Sequence, residues 1–268
     1  MKRLSAAAIA AALLLWFFWG NFSLDCAQRE ICLRRLDRAF DRFRIVHLSD
    51  LHGRSFGREN SRLLQAVAQA QPDLICITGD LFDENTPTER ILPLLRALGA
   101  LAPVYYVTGN HEWQVKTLPT LLAAMQEAGV QVLRGSYHLL CRGGARLVIA
   151  GVDDPCGPAD AKTPEALVQE IHAAVGKDVP IVMLDHRNDH LAQWQALGVD
   201  LVLSGHCHGG LVRLPLLGGL IGPGGRLLPR FDAGLYRSGG TALYVSRGLA
   251  SPRLLNRPEV AVLVLRHS

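Results

Sequence analysis

The sequence predicts an α/β fold, on three observations. From Phe43 onward, short apolar segments alternate with segments whose apolar residues recur every three or four positions, the patterns of strands and amphipathic helices. Hydrophobic residues make up 49% of the 268 positions and charged residues 19%, enough apolar content for a sizeable core. Polar, ligand-type residues recur immediately after the apolar strands, where open α/β sheets gather their binding sites. No repeat or low-complexity linker divides the chain, so one domain is expected over residues 25–268, behind an N-terminal segment of residues 1–24.

That segment holds Lys2 and Arg3 and then an apolar run from Leu4 to Gly20, at the short end for a membrane span. A cleaved signal peptide would end in a small-x-small site. Here Trp16, Phe17, Phe18 and Trp19 come instead, in the manner of an interfacial aromatic belt, so an uncleaved transmembrane or signal-anchor helix is expected. Leu24-Asp25-Cys26 is a poor lipoprotein site, because an acidic residue stands before the cysteine. Arg29, Arg34, Arg35, Arg38, Arg42 and Arg44 follow the run. By the positive-inside bias they put the domain on the cytoplasmic side, and a basic face of this kind also holds a domain against anionic lipid. The competing reading makes them part of a folded strand edge.

Beyond Phe43, strands are expected at 44–48, 73–78, 104–108, 130–133, 138–141, 146–152, 180–184, 199–203, 241–246 and 260–266. Helices are expected at 59–70, at 87–98 with Pro87 at its start, at 118–128 closed by Gly129, at 164–175 and at 189–197. The net charge of +4 is modest, and no long Lys/Arg run or aromatic-interleaved basic patch appears, so no nucleic-acid partner is expected. The six cysteines show no CxxC spacing and read as scattered reduced thiols.

The strand-end residues are Asp50 and His52, Asp80, Asn110 and His111, His186, and His206 and His208. In an extended backbone His206 and His208 point to one side and Cys207 to the other. Alone, this His-x-His pair reads equally as buried, hydrogen-bonded histidines. Five of the ten histidines at strand ends, with two aspartates and an asparagine, are costly to desolvate without partners. A pair of divalent cations is the simplest partner, since two metals about 3.5–4 Å apart share a bridging carboxylate. Mixed imidazole and carboxylate donors suit Mn, Zn or Fe better than Ca.

Asp50-x-His52, Gly79-Asp80, Gly109-Asn110-His111-Glu112, His186 and Gly205-His206-Cys207-His208 resemble, in order, the five-part signature of the calcineurin-like metallophosphoesterases. The resemblance implies a four-layer α-β-β-α sandwich and hydrolysis of a phosphodiester or pyrophosphate bond by a metal-bound hydroxide. It implies that Asp50, His52 and His208 hold one metal, that Asp80 bridges, and that Asn110, His186 and His206 hold the other. His111 would protonate the leaving oxygen or steady the transition state. The Asn-His-Glu variant, the Gly209-Gly210 pair and Val245-Ser246-Arg247-Gly248 resemble a membrane-anchored bacterial branch, some of whose members hydrolyse UDP-2,3-diacylglucosamine in lipid A biosynthesis. On that branch the chain would sit in the bacterial inner membrane by a single N-terminal span, with a lipid-linked substrate. The alternatives are a broad phosphodiesterase or phosphatase on soluble substrates, and a membrane scaffold that has lost its chemistry. A decayed enzyme should have lost ligands, and none of the eight positions is damaged.

Arg54, Arg58 and Arg247 are candidate phosphate contacts, because a guanidinium matches phosphate oxygens in pairs; Arg247 follows a strand end. Asp83, Glu112 and Asp185 flank the ligands and would orient imidazoles or simply occupy turns. Cys207 reads as filler. His47, His138, His172, His190 and His267 belong to no motif. The stretch from Leu211 to Gly225 is apolar yet too glycine-rich for a good helix. It reads either as a buried irregular connection or as a flexible apolar lip that holds acyl chains beside the metals.

Overall fold

Two six-stranded sheets stack face to face between two layers of helices in the computed structural model, which describes residues 6–214, 216–250 and 252–268. The chain begins with α1 (Ala6–Phe22) and β1 (Asp25–Leu33), then β2 (Arg44–Leu48), α2 (Ser61–Ala70), β3 (Leu74–Thr78) and α3 (Ile91–Gly99). It continues with β4 (Val104–Val107), α4 (Leu118–Glu127) and β5 (Gln131–Val132). The hairpin β6 (Ser136–Arg142) and β7 (Ala145–Gly151) opens the second sheet, followed by α5 (Pro164–Val175), β8 (Ile181–Leu184), α6 (Leu191–Ala196) and β9 (Leu201–Ser204). A two-stranded ribbon, β10 (Arg213–Leu214) and β11 (Gly218–Gly219), precedes β12 (Gly234–Ser238), β13 (Thr241–Val245) and β14 (Glu259–His267).

The first sheet runs β1-β14-β2-β3-β4-β5 and the second β12-β13-β9-β8-β7-β6. Alternation along each strand divides its residues between two cores. Ile45, Cys76, Val107 and Leu263 face Ile149, Val182, Leu203 and Tyr244 between the sheets. Val46, Ile75, Tyr106 and Val262 face Leu63, Leu95 and Met125 of α2, α3 and α4. Val148, Met183 and Val202 face Leu167, Ile171 and Trp194 of α5 and α6. The order helix, sheet, sheet, helix is therefore the expected four-layer arrangement. Parallel neighbours β2, β3, β4 and β7, β8, β9 all deliver their carboxyl ends to one rim.

Expected elements return with small shifts. The helix expected from Glu59 starts at Ser61, because Glu59 and Asn60 sit at φ +53° and +60°. The one expected from Pro87 starts at Ile91. β1, β12 and the β10–β11 ribbon were not anticipated. β1 pairs with β14 along its whole length and carries Arg29 at the sheet edge. Of the other arginines read for topology, Arg35 is forked on Asp200 at 2.6 and 2.8 Å, and Arg44 donates to the Ala70 carbonyl at 2.6 Å. The side chains of Arg35 and Arg44 are thus engaged within the domain, while that of Arg29 is exposed.

Among the described residues, no helix is long and apolar enough to cross a membrane. Lys2, Arg3 and Leu4, with which the expected span begins, lie outside the described residues. α1 exposes Leu14, Leu15, Trp16, Phe17, Phe18 and Trp19, while Gly20 and Asn21 are buried against the domain.

His47 on β2 is fully buried; its Nε2 meets Thr78 Oγ1 at 2.7 Å and its Nδ1 has no partner. Burial lowers it from 6.5 to about 3. Below its ordinary value the unfolded chain takes up a proton that the folded chain refuses, so stability is lost as pH falls from about 6.5 toward about 3. The slope is about 1.4 kcal/mol per pH unit, hence about 2 kcal/mol between pH 7 and pH 5. Urea unfolding at those two pH values should show this loss in the native chain and less of it in His47→Gln. An equal loss in both would assign the acid sensitivity elsewhere.

Candidate metal centre

The rim where the parallel strands end is built from loops held in register. Beyond β2 and β3 the ladder continues, with Asp50 N–H donating to Gly79 O at 3.0 Å and His52 N–H to Asp80 O at 2.9 Å. Gly205 N–H donates to His186 O at 3.1 Å in the second sheet. The sheets are tied across the rim by His206 N–H, which donates to the Asp50 carboxylate at 3.0 and 3.2 Å. Gly205 and Gly109 sit where a Cβ would collide with Ser49 and with Asp80, so the loops approach this closely only with glycine there.

Five of the seven predicted ligands take a left-handed backbone: Asp50 (φ +52°), His52 (+47°), Asp80 (+49°), His206 (+64°) and His208 (+54°). Each such residue costs on the order of 1 kcal/mol or more. The turn it makes redirects the side chain from the strand axis into the rim.

The side chains converge in two groups. Asp50, His52, Asp80 and His208 offer donor atoms within 4.8 Å of one another, and so do Asp80, His186 and His206. Asp80 belongs to both. Its Oδ2 lies 3.7 Å from His52 Nε2 and 3.3 Å from His186 Nε2, and His208 Nε2 lies 3.7 Å from Asp50 Oδ1. Asn110 Oδ1 comes within 3.2 Å of His186 Nε2, joining the second group. His186 Nδ1–H donates to Thr78 O at 2.8 Å, which aims Nε2 at Asp80, Asn110 and His206.

The electrostatics suit cations. Burial lowers His206 to about 4 and His208 to about 3, and it lowers His52 as well, so these imidazoles are neutral. At Asp80 burial works upward, but His186 and His52 hold the carboxyl well below the usual range. Burial opposes the charged form of His186, and Asp80 outweighs it, raising the ring to about 10. The field that keeps a proton on His186 is the field that attracts a metal ion. His52 Nε2 is buried without a hydrogen-bond partner, a lone donor atom of the kind a metal satisfies. The residues fit two metal ions sharing Asp80.

A cavity of about 480 Å³ opens over this cluster, lined by His52, Asp83, His111, His208, Leu211 and Arg253 among others. The His111 ring lies 4.7 Å from that of His52, and the His111 backbone N–H donates to Asp80 Oδ1 at 2.9 Å. His111 thus borders both the cluster and the cavity over it.

One flanking residue does something other than expected. Among the described residues Glu112 makes no hydrogen bond to an imidazole. Its buried carboxylate accepts the N–H groups of Asp80 (2.9 Å), Leu81 (2.7 Å) and Gly109 (2.7 Å), binding two ligand loops together. Burial, then Asp80, pushes it up to about 7. Asp185 accepts from His190 Nδ1 at 2.8 Å and Trp194 Nε1 at 2.7 Å and braces its own turn. Asp83 does face a ligand, with Oδ2 3.8 Å from His52 Nδ1. Cys207 points into the core, where burial raises its thiol to about 12.

The predicted phosphate contacts are engaged elsewhere. Arg54 donates to the carbonyls of Leu249 and Asn21 and lies over the rings of Phe22 and Phe56. Arg247 pairs with Asp25 at 2.5 Å and Glu259 at 3.4 Å. Neither lines the cavity over the cluster. Two arginines that sequence reasoning passed over stand closer. Arg187, forked on Asp154 at 2.6 and 3.0 Å, reaches His206 Nε2 at 3.0 Å. Arg253 lines the cavity itself. Arg187 follows His186 directly, a signal that was available; Arg253 lies in no motif.

Within Leu211–Gly225 the described residues are mixed: Leu216 is fully exposed and Leu217 is exposed, as are Leu227 and Leu228 just beyond, Gly219 and Gly222 are buried, and Leu211, Pro223 and Gly224 line the cavity.

The family model for calcineurin-like phosphoesterases matches residues 43–210. The chain is 31% identical over 257 residues to YkuE of Bacillus subtilis, named an uncharacterized metallophosphoesterase, covering 91% of this chain and 86% of that protein. It is 32% identical over 237 residues to phosphodiesterase YaeI of Escherichia coli, covering 83% and 82%. A Danio rerio transmembrane protein with a metallophosphoesterase domain is 30% identical over 258 residues, 89% of this chain; the chain spans 56% of that longer protein. Among solved structures, a dimetal phosphatase from Danio rerio matches with a TM-score of 0.51 over 78% of this chain and 88% of that one, at 13% identity, a likeness of fold.

Proposed function

The chain belongs to the calcineurin-like phosphoesterases, and on that premise we propose that it hydrolyses a phosphodiester or pyrophosphate bond in a lipid-linked substrate at a membrane surface. Hydrolase activity follows from the family. The observation that carries the reaction class is the pair of donor groups sharing Asp80.

In this reading Asp50, His52, Asp80 and His208 hold one cation, and Asp80, His186, His206 and Asn110 hold the other. When bound, two such ions supply Lewis acidity and lower the pKa of water at the site. Asp80 keeps the two groups together. His111 donates a proton to the leaving oxygen from the cavity side. Asp83 steadies the His52 ring through Nδ1, and Arg187 steadies His206.

The lipid part of the reading rests on the apolar lip and on α1. Exposed leucines stand beside the cavity, and α1 exposes Trp and Phe side chains, residue types that favour the membrane interface. A membrane-held enzyme gains effective concentration toward a membrane-held substrate. UDP-2,3-diacylglucosamine fits this description: attack on its diphosphate releases UMP and a lipid monophosphate. The positive-inside bias puts the domain on the cytoplasmic face of a bacterial inner membrane, which protease protection of a tagged C-terminus checks.

Purified full-length chain in detergent, supplied with Mn, Zn or Fe, should turn over a chromogenic phosphodiester and should release UMP from UDP-2,3-diacylglucosamine by mass spectrometry. Turnover of the chromogenic ester without UMP moves the substrate to a soluble phosphoester. No turnover with any of the metals sinks the catalytic reading.

A further inference from the structure

Arg253 is an arginine buried to 4% exposure that belongs to no motif. Three of its contacts fix it as a rigid fork: Nε donates to Ala250 O at 2.5 Å, and Nη1 to Arg247 O at 2.9 Å and Gly248 O at 3.3 Å. Its Nη2 is buried with no hydrogen-bond partner. Burial lowers the guanidinium to about 9; Asp50 pulls upward and Arg54 and Arg247 add like charge. An unpaired buried cation is costly and calls for a partner. The residue lines the cavity over the candidate metal centre, alongside His52, His111 and His208.

Its backbone is held in an unusual way. Asn21, the buried polar residue near the end of α1, uses both ends of its amide on the Arg253 main chain. Nδ2 donates to Arg253 O and Oδ1 accepts Arg253 N–H, each at 2.9 Å. Arg54 then ties Asn21 O to Leu249 O, so α1 is fastened to the segment that carries the fork.

We propose that Arg253 binds the non-bridging phosphate oxygens of the substrate through Nη2, with Asn21 of α1 as its positioning residue. This rests on the phosphoesterase reading above. The substrate supplies the acceptor that the protein withholds from Nη2, and the side chain's other bonds hold the guanidinium beside the cavity. Docking of the N-terminal helix is thereby coupled to substrate binding: loosening α1 lets the Arg253 backbone move.

The test titrates inorganic phosphate into the full-length, Mn-loaded protein by calorimetry, with metal content measured alongside. Arg253→Met should weaken phosphate binding about tenfold or more, the scale of a lost charge-assisted hydrogen bond, with both metals retained. Arg253→Lys should recover only part of this, since an ammonium cannot make the fixed fork. Asn21→Ala should weaken phosphate about threefold and raise KM with kcat kept, because the charge remains and only its aim is lost. A folded Arg253→Met or Arg253→Lys that binds phosphate as tightly as the native chain overturns the proposal, and an unaltered Asn21→Ala overturns the positioning role. Should neither Arg253 variant fold, crystals of the native protein with vanadate decide: an oxygen within hydrogen-bond reach of Nη2 supports the proposal, and vanadate at the histidines with Nη2 untouched overturns it. Native protein that neither turns over an ester nor binds phosphate sinks the phosphoesterase reading instead.

Discussion

Asp80→Asn should reduce turnover by at least about 10³-fold, the scale seen when a preorganised electrostatic partner is removed from a reacting centre. Two independent features set this size. Asp80 is the single residue shared by both donor groups, so its loss weakens two metal positions at once. It is also the acid that raises His186 and stands 3.3 Å from its Nε2, so the field over the second group collapses with it. Asparagine is close to isosteric and tolerates the left-handed backbone at this position, so the fold should survive. Metal content by mass spectrometry should fall with turnover. Full activity with both metals retained would remove Asp80 from the bridge and require a different ligand set.

Glu112→Ala should be the most destabilising single change near the site. Three N–H groups, from Asp80, Leu81 and Gly109, lose their acceptor in a buried place. At about 1–3 kcal/mol for each orphaned donor, and allowing for relaxation, the loss is about 3–5 kcal/mol. That corresponds to roughly 10 °C in thermal midpoint for a domain of this size. Glu112→Gln should recover only part, because one amide oxygen cannot serve three donors. Thermal unfolding of the metal-free and metal-loaded protein measures both. A loss below about 1 kcal/mol would mean that water replaces the carboxylate, and that the loops keep their shape without it.

Much of this was legible in the sequence because the signals were local. The alternation of apolar strands and periodic helices marked an α/β chain, the motif resemblance implied the four layers, and ligand residues directly after strands converge once parallel strands end at a common rim. β1 escaped because Asp25–Leu33 mixes Asp25, Arg29 and Glu30 with apolar residues on an edge strand: its burial nearly alternates, but the residue types do not, with Cys26 and Cys32 on the outward side. The arginines depend on more than local sequence. Arg54 follows His52 closely and Arg247 follows a strand end, but a guanidinium reaches several ångströms, and partners distant in sequence decide where it goes. Leu249 and Asn21 claim Arg54, and Asp25 and Glu259 claim Arg247. Arg253, lying 45 residues beyond His208, becomes visible only when the loop after β13 is folded over the rim. Glu112 carried a half-legible signal: its place after Asn110-His111 marked it, while its role depends on two loops meeting.

The left-handed turns at Asp50, His52, Asp80, His206 and His208 have a consequence for anyone who selects this protein for heat resistance. Each is a position where glycine would relax the backbone, and together they concentrate on the order of 5 kcal/mol of avoidable conformational cost in a few loops. A screen scored on melting temperature alone, run without metal, should enrich replacements at these five positions first and return sturdier but inert proteins. Run with saturating metal, the same screen should leave them intact, because ligation then repays each residue for its turn. The difference between the two lists of survivors would map the centre without a single activity measurement.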